Sequence, residues 1–290
     1  MAGANMKAIK VRIHSVRNTM QITKAMELVA VSKLRRAKEM EENALPYSRL
    51  LSEAISGIMV ENREKCAFFR GDARTSDADT QRTCFLVIAG DRGLAGGYNS
   101  NLFRLVRGEI LPGDVVFPIG KKTLEFYRKQ PFEILSDAYP LASEVGIPEA
   151  FEIGETICGA FLAGRFERVR IAYTRFINML SQAPRIDDLL PLERSTFEHA
   201  EGTPPYQSVL YDPSPDVVLG TIIPQYVSGI LYGAVCEAEA SEFASRRNSM
   251  SAANKNAGEM IDTLTLHYNR ARQAIITQEI TEIVAGSGSG

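Results

Sequence analysis

The segment AGDRGLAGGYNSN, residues 89–101, places four glycines around an acid and a base. It follows an apolar run and precedes a helical pattern. Such a loop can turn backbone N–H groups toward a phosphate at a helix N-terminus. Its spacing is neither GxGxxG nor GxxxxGK[ST], and a tight strand-to-helix turn accounts for the glycines without a ligand. A second candidate chemistry is electrostatic. Up to Lys38 the bases are Lys7, Lys10, Arg12, Arg17, Lys24, Lys33, Arg35, Arg36 and Lys38, against the single acid Glu27. That imbalance suits an acidic partner: nucleic acid, anionic lipid or a carboxylate-rich protein surface. Taken alone, Lys33, Arg35, Arg36 and Lys38 also fit a solvated helix face, and Met26 fits core packing between helices. Arg272 and Gln273, in the string NRARQ, offer donors to carboxylate or carbonyl oxygens, with Thr277 and Glu279 one to two turns onward. A solvated helix surface accounts for these too.

Other reactive types form no constellation. His14, His199 and His267 have no triad or metal-ligand spacing, and HExxH and GxSxG are absent. Cys66, Cys84, Cys158 and Cys236 are scattered without a CxxC pair, which reads as buried reduced thiols. No catalytic residue, cofactor or metal is expected. The chain has 290 residues, 45% hydrophobic, no Trp and a formal charge of −2, ordinary for a folded protein and not a polyanion-binding signature overall. No apolar run appears long enough to span a bilayer, and the basic start has no following apolar core of a secretory signal.

The elements that must carry these residues fall into three blocks. Met6 to about Met59 reads as one long helix, with apolar residues at steps of three and four and Pro46 as an expected kink or break. Residues 61–82 turn polar and read as a linker. Thr83–Ala89, Val115–Ile119, Phe132–Leu135 and Val169–Phe176 read as strands, with Leu189–Leu192 a further candidate. Ser100–Ile110, Lys121–Lys129 and Pro148–Leu162 read as intervening helices, so βαβ units and a mostly parallel sheet are expected. Ser195 to Pro215 reads as a loop. From Asp216 to about Val284 helical signals return, with Pro224 marking a first-turn kink. A helix of roughly 70 residues would be roughly 100 Å long. Two such helices at opposite ends of a chain can shield each other by pairing. The expected fold class is therefore α/β: a long antiparallel coiled coil of N- and C-terminal helices plus a central Rossmann-like domain. The expected boundaries are 1–60 helix, 61–82 linker, 83–210 α/β domain, 211–285 helix and 286–290 flexible tail.

Three strings carry a resemblance: IKVRIHSVRNTMQITKAMELVAVSKLRRA from Ile9 to Ala37, AGDRGLAGGYNSNLF from Ala89 to Phe103, and MIDTLTLHYNRARQAIITQEITEIV from Met260 to Val284. In this order and spacing the chain resembles the gamma-subunit family of bacterial F-type (F1Fo) ATP synthases, over essentially its whole length. Ala95 stands where many relatives have cysteine. No long cysteine-bearing insert lies near Phe176 to Leu190, which disfavours the redox-regulated chloroplast form.

The resemblance implies a central rotor shaft without catalytic sites, coupling rotation of a membrane c-ring to ATP synthesis or hydrolysis in beta subunits. The implied partners are three alpha and three beta subunits around one shaft, the epsilon subunit and the c-ring, with no nucleic acid and no small-molecule substrate. The implied location is the cytoplasmic face of a bacterial cell membrane, as a peripheral protein, with protons as coupling ion. Met26, Lys33, Arg35 and Arg36 would then face beta subunits, with an acidic beta-subunit lever pushing on the basic run. Arg272, Gln273, Thr277 and Glu279 would form a second beta-subunit collar. Tyr211 and Asp212 would belong to a foot resting on the c-ring and epsilon. A dinucleotide-binding enzyme built on the centre alone, or a nucleic-acid-binding coiled coil built on the basic start, are the readings of other classes.

Overall fold

The computed structural model describes residues 2–61, 66–69, 82–198 and 211–287. The expected linker segment 71–81 and residues 199–210, His199 among them, lie outside the described residues. Two compact units form: Ser32–Ser245, and a second joining Met1–Val31 with Arg246–Gly290. Helix α1 (Ala2–Glu61) and helix α6 (Pro215–Ser287) each contribute to both.

The larger unit is built on one five-stranded sheet. Strands β1 (Thr83–Ile88), β2 (Val115–Ile119), β3 (Glu133–Ile134), β4 (Arg168–Phe176) and β5 (Gln182–Leu190) lie in the order β3-β2-β1-β4-β5. The first four run parallel, joined through α2 (Tyr98–Arg107), α3 (Lys121–Tyr127) and α4 (Ile147–Leu162). All six residues of β1 are buried, as a central parallel strand covered on both faces requires. Side chains alternate across the pleat. Cys84, Leu86 and Ile88 face Ile153 and Ile157 of α4 and Ile223, Val227 and Leu231 of α6. Phe85, Val87 and Ala89 face Leu102 and Val106 of α2 and Tyr127 of α3.

β5 differs from its expectation. It spans Gln182–Leu190, pairs antiparallel with β4 and closes the sheet edge, where Pro184 is tolerated. A short helix α5 (Ser195–Glu198) follows within the segment expected to be loop. Neither proline ends its helix: α1 is continuous through Pro46 and α6 through Pro224. A proline inside a helix removes one hydrogen bond and crowds the carbonyl one turn back, together costing about 3 kcal/mol. Packing on either side of Pro224, through Ile223 and Val227, offsets that locally. α6 also corrects the membrane expectation: an 18-residue stretch of it has mean hydropathy 1.4, apolar and long enough by composition to cross a bilayer. Leu219, Ile223, Val227, Leu231 and Val235 of this helix are buried in the core.

Within Ser32–Ser245 the two long helices pair antiparallel. Leu34 and Ala37 of α1 pack on Ala240 and Ala244 of α6, while Tyr47 donates to Gln225 Oε1 at 3.4 Å. Small residues let the backbones approach. In the smaller unit the pairing is also antiparallel, and polar contacts mark it. With its amide nitrogen turned toward α1, Asn254 donates to Thr23 Oγ1 at 2.8 Å and to the Met20 carbonyl at 2.7 Å. Ala30, Met250 and Ala257 are the buried apolar residues of this unit among those described. A two-helix layer has little interior, so most of its apolar stripe stays in solvent.

Candidate functional site

The glycine-rich loop after β1 is occupied by bonds to its own chain. The Asp91 carboxylate accepts from the N–H groups of Lys121 at 3.2 Å, Ala142 at 2.8 Å and Ser143 at 3.1 Å, and from the Ser143 hydroxyl at 2.8 Å. The Gly90 N–H donates to Asn99 Oδ1 at 2.9 Å. Two further bonds fasten the loop to α6: Tyr98 Oη donates to the Ala238 carbonyl at 2.8 Å, and Ser245 Oγ donates to that of Ala95 at 2.9 Å. Gly96 adopts φ +56°, and Leu94, exposed, adopts φ +62°. Glu239 and Glu242 of α6 add negative charge here. Burial first, then Glu242 and Asp91, push the Glu239 carboxyl up to about 7, with Lys33 and Arg36 opposing. The loop is a strand-to-helix joint whose neighbourhood is carboxylate-rich, the opposite of a phosphate cradle.

The basic run is not a uniform stripe. Lys33 Nζ sits 5.4 Å from the ring centre of Phe243, and Lys38 Nζ sits 4.4 Å from that of Phe176. Arg35 pairs with Glu39 at 3.0 Å, both exposed. Arg36 is exposed. Arg35 thus reaches solvent from a different side of α1 than Lys33 and Arg36, while Lys33 and Lys38 also lean on aromatic rings of the chain.

In the smaller unit Met26 is half-buried, and Arg272, Gln273, Thr277 and Glu279 are exposed. Arg272 and Glu279, seven residues apart, share one stripe of α6; Gln273 and Thr277 share the next. The Thr277 hydroxyl donates to the Gln273 backbone carbonyl at 2.9 Å. Around them Val11, Ile22, Leu28, Val29, Leu266, Ile276, Ile280 and Ile283 are all exposed. In the larger unit, half-buried Tyr211 packs against the core and Asp212 is exposed just before α6.

The remaining reactive types stay apart. His14 and His267 are exposed, and the four cysteines are buried. No group of three or more metal-ligating side chains occurs among the described residues. A cavity of about 540 Å³ in the larger unit is lined by five carboxylates, Glu41, Asp187, Asp188, Glu193 and Glu237, with Tyr173 and Tyr226. Burial and Glu237 raise the Glu41 carboxyl above its ordinary range. Neither this cavity nor the Asp91–Glu239–Glu242 cluster is foreshadowed by spacing, because their members come from elements far apart in the chain.

A family model described as ATP synthase matches residues 5–289. Curated relatives include the ATP synthase gamma chain of Ruminococcus albus, 39% identical with 98% of both chains covered. Another is the ATP synthase gamma chain, sodium ion specific, of Acetobacterium woodii, 37% identical with 98% of both chains covered. Among solved structures, a chain of the Euglena gracilis mitochondrial ATP synthase (OSCP/F1/c-ring) aligns with TM-score 0.64 at 19% identity, covering 99% of this chain and 95% of that one. The structural likeness supports the fold: long terminal helices around a central sheet.

Proposed function

This chain belongs to the ATP synthase gamma-chain family, and we propose that it works as the central shaft of a rotary F1 motor. It is a non-catalytic subunit; the ATP chemistry belongs to beta subunits. The observation that carries the shaft reading is the smaller unit, a two-helix layer with apolar side chains exposed on both helices. Val11, Ile22, Leu28 and Val29 of α1 and Leu266, Ile276, Ile280 and Ile283 of α6 are each more than a third exposed. Apolar exposure on this scale marks a surface that is covered in the working state. A sleeve of alpha and beta subunits, three of each, covers it without deep polar traps and lets it turn.

Coupling follows from unequal contact. A shaft shifts a catalytic site's equilibrium only insofar as it binds that site's conformations differently. Met26, Lys33, Arg35 and Arg36 offer one set of contacts to beta subunits, the cations receiving an acidic surface. Arg272, Gln273, Thr277 and Glu279 offer a second, with exposed donors able to form and break bonds as the shaft turns. The sheet domain, with Tyr211 and Asp212, serves as the foot on the c-ring, with epsilon beside it. Protons are the proposed coupling ion and the cytoplasmic face of a bacterial membrane the proposed location.

The test is reconstitution. The full chain is expressed with alpha and beta subunits from the same genome, the complex isolated by size exclusion, and ATPase activity compared with and without the chain. A complex of three alpha, three beta and one of this chain, with activity dependent on it, is expected. Elution of the chain alone with unchanged activity would overturn the reading.

A further inference from the structure

β4 and β5 are joined by the five residues 177–181, and the loop they form is firmly built. The Asn178 side chain accepts from the N–H groups of Leu180 and Ser181, both at 2.9 Å, while Gln182 Nε2 donates to the Asn178 carbonyl at 2.9 Å. Two backbone bonds close the turn: the Asn178 N–H donates to the Ser181 carbonyl at 3.1 Å, and the Ser181 N–H to that of Asn178 at 3.3 Å. Turn tips are ordinarily polar. Here Ile177, Met179 and Leu180 are all exposed, Leu180 at 80%. One exposed apolar side chain is ordinary. Three on one hydrogen-bonded tip are held ready to meet another surface at little ordering cost.

The base of the hairpin fixes where the tip stands. Phe176, the last residue of β4, packs against Leu34 and Ala37 of α1 and Ala240 and Ala244 of α6. Lys38 Nζ lies 4.4 Å from its ring centre, and its N–H donates to Glu237 Oε1 at 3.1 Å. The tip therefore begins one residue beyond the ring that Lys38 covers, beside the stretch of α1 that also carries Lys33, Arg35 and Arg36.

We propose that the hairpin tip and the basic run form one composite docking surface: Ile177, Met179 and Leu180 anchor the apolar side of an amphipathic, carboxylate-bearing segment of a beta subunit, and the α1 cations take its carboxylates. The proposal rests on the reading above that these cations receive an acidic beta-subunit surface, and it adds the apolar half of that contact. Continuity and charge select this occupant. Phe176 joins the tip to the basic run, so a segment seated on one meets the other. A wholly apolar partner would crowd the cations without pairing them, and a wholly acidic one would leave the apolar tip in water. A segment with both faces satisfies both. The cations steer its approach and are screened by salt, whereas the apolar anchors hold it at any ionic strength.

The experiment places a photocrosslinker. The native cysteines are buried, so Leu180→Cys in the full chain takes a benzophenone maleimide at the tip, and Arg35→Cys takes it in the basic run. Each labelled chain is assembled with alpha, beta and epsilon subunits of the same genome and irradiated, and the adduct is identified by peptide mass spectrometry. From Leu180→Cys the expected adduct is a beta-subunit peptide with carboxylates beside apolar residues, overlapping the peptide reached from Arg35→Cys. An adduct with any other subunit or with a second copy of the chain, or no adduct, overturns the proposal. If Arg35→Cys reaches beta and Leu180→Cys does not, the composite surface alone fails; if neither does, the docking reading of the basic run fails with it. Affinity for the alpha–beta hexamer is the second readout. Ile177→Ser/Leu180→Ser should bind about ten-fold more weakly at both low and high salt, as loss of two partly buried apolar anchors requires. The loss in Arg35→Ala/Arg36→Ala should shrink at high salt. Wild-type affinity for Ile177→Ser/Leu180→Ser, or a loss that disappears at high salt, overturns the apolar anchoring.

Discussion

Ser143 is tied twice to Asp91: its backbone N–H, at 3.1 Å, and its hydroxyl, at 2.8 Å, donate to the same carboxylate oxygen. The other oxygen accepts from the N–H groups of Ala142 and Lys121. One side chain thereby joins the end of β1 to the start of α3 and to the segment before α4. Asp91→Ala removes all four acceptor contacts and should cost about 2–3 kcal/mol of stability, read from a urea midpoint. Asp91→Asn keeps one acceptor oxygen but points amide hydrogens at N–H groups, so an intermediate loss is expected. A loss no smaller for Asn than for Ala would assign the effect to charge rather than to acceptor geometry.

Glu239 gives a pH-dependent prediction of stability. Its folded carboxyl titrates at about 7, raised above an ordinary carboxylate by burial, Glu242 and Asp91. A raised folded value means the neutral form is favoured in the fold. Its stabilising share is full below the ordinary carboxylate range and is lost as pH rises through about 7. Glu239→Gln, neutral at every pH, should match wild type near pH 4 and exceed it near pH 8.5 by on the order of 1–3 kcal/mol. Urea titrations of the purified chain at both pH values check this; equal differences at the two would contradict it.

Elements whose side chains announce a single environment were legible in the sequence. Thr83–Ala89 reads as a strand, and Thr83–Ile88 is one, buried along its whole length. β5 was not legible beyond its last residues, because Pro184, Arg185, Asp187 and Asp188 interrupt any apolar alternation. Its charges make sense only beside β4, where Arg168 and Arg170 both pair with Asp188 at 3.0 and 3.1 Å. Pro46 offered a break that the structure does not take, because the helix on either side is long enough to carry one missing N–H. The basic run was visible, but its use was not. That Lys33 and Lys38 lean on Phe243 and Phe176 depends on residues more than a hundred positions away. The apolar steps of three and four along the terminal helices were legible, but not that Val11, Leu28, Leu266 and Ile276 stay in solvent.

Close approach of α4 and α6 supplies a packing prediction. A Cβ on Gly154 would collide with the Ser228 hydroxyl, which itself donates to the Pro224 carbonyl at 2.8 Å. Gly154→Ala must therefore push the helices apart, at a cost of about 1–3 kcal/mol. Thermal unfolding should show it. Gly159, on the same helix, has open space where a Cβ would stand, and Gly159→Ala should be neutral or slightly stabilising. Equal effects at the two positions would remove the steric explanation.

Met26 separates assembly from coupling. It is half-buried on α1 in the unit with little interior, so an ammonium placed there can extend to solvent along its aliphatic stem without breaking the helix pair. Met26→Lys should therefore leave the chain folded and able to join its alpha–beta hexamer. Within the sleeve, however, the added cation stands beside apolar contacts and makes some rotational positions stickier than others. Misplaced charge at a protein interface is costly, and pumping per ATP hydrolysed should fall by more than about two-fold in membrane vesicles. Met26→Leu, apolar and of similar volume, should pump as wild type. Unchanged pumping in Met26→Lys would mean that this part of α1 does not bear on the sleeve, and equal loss in Met26→Leu would point to packing rather than charge.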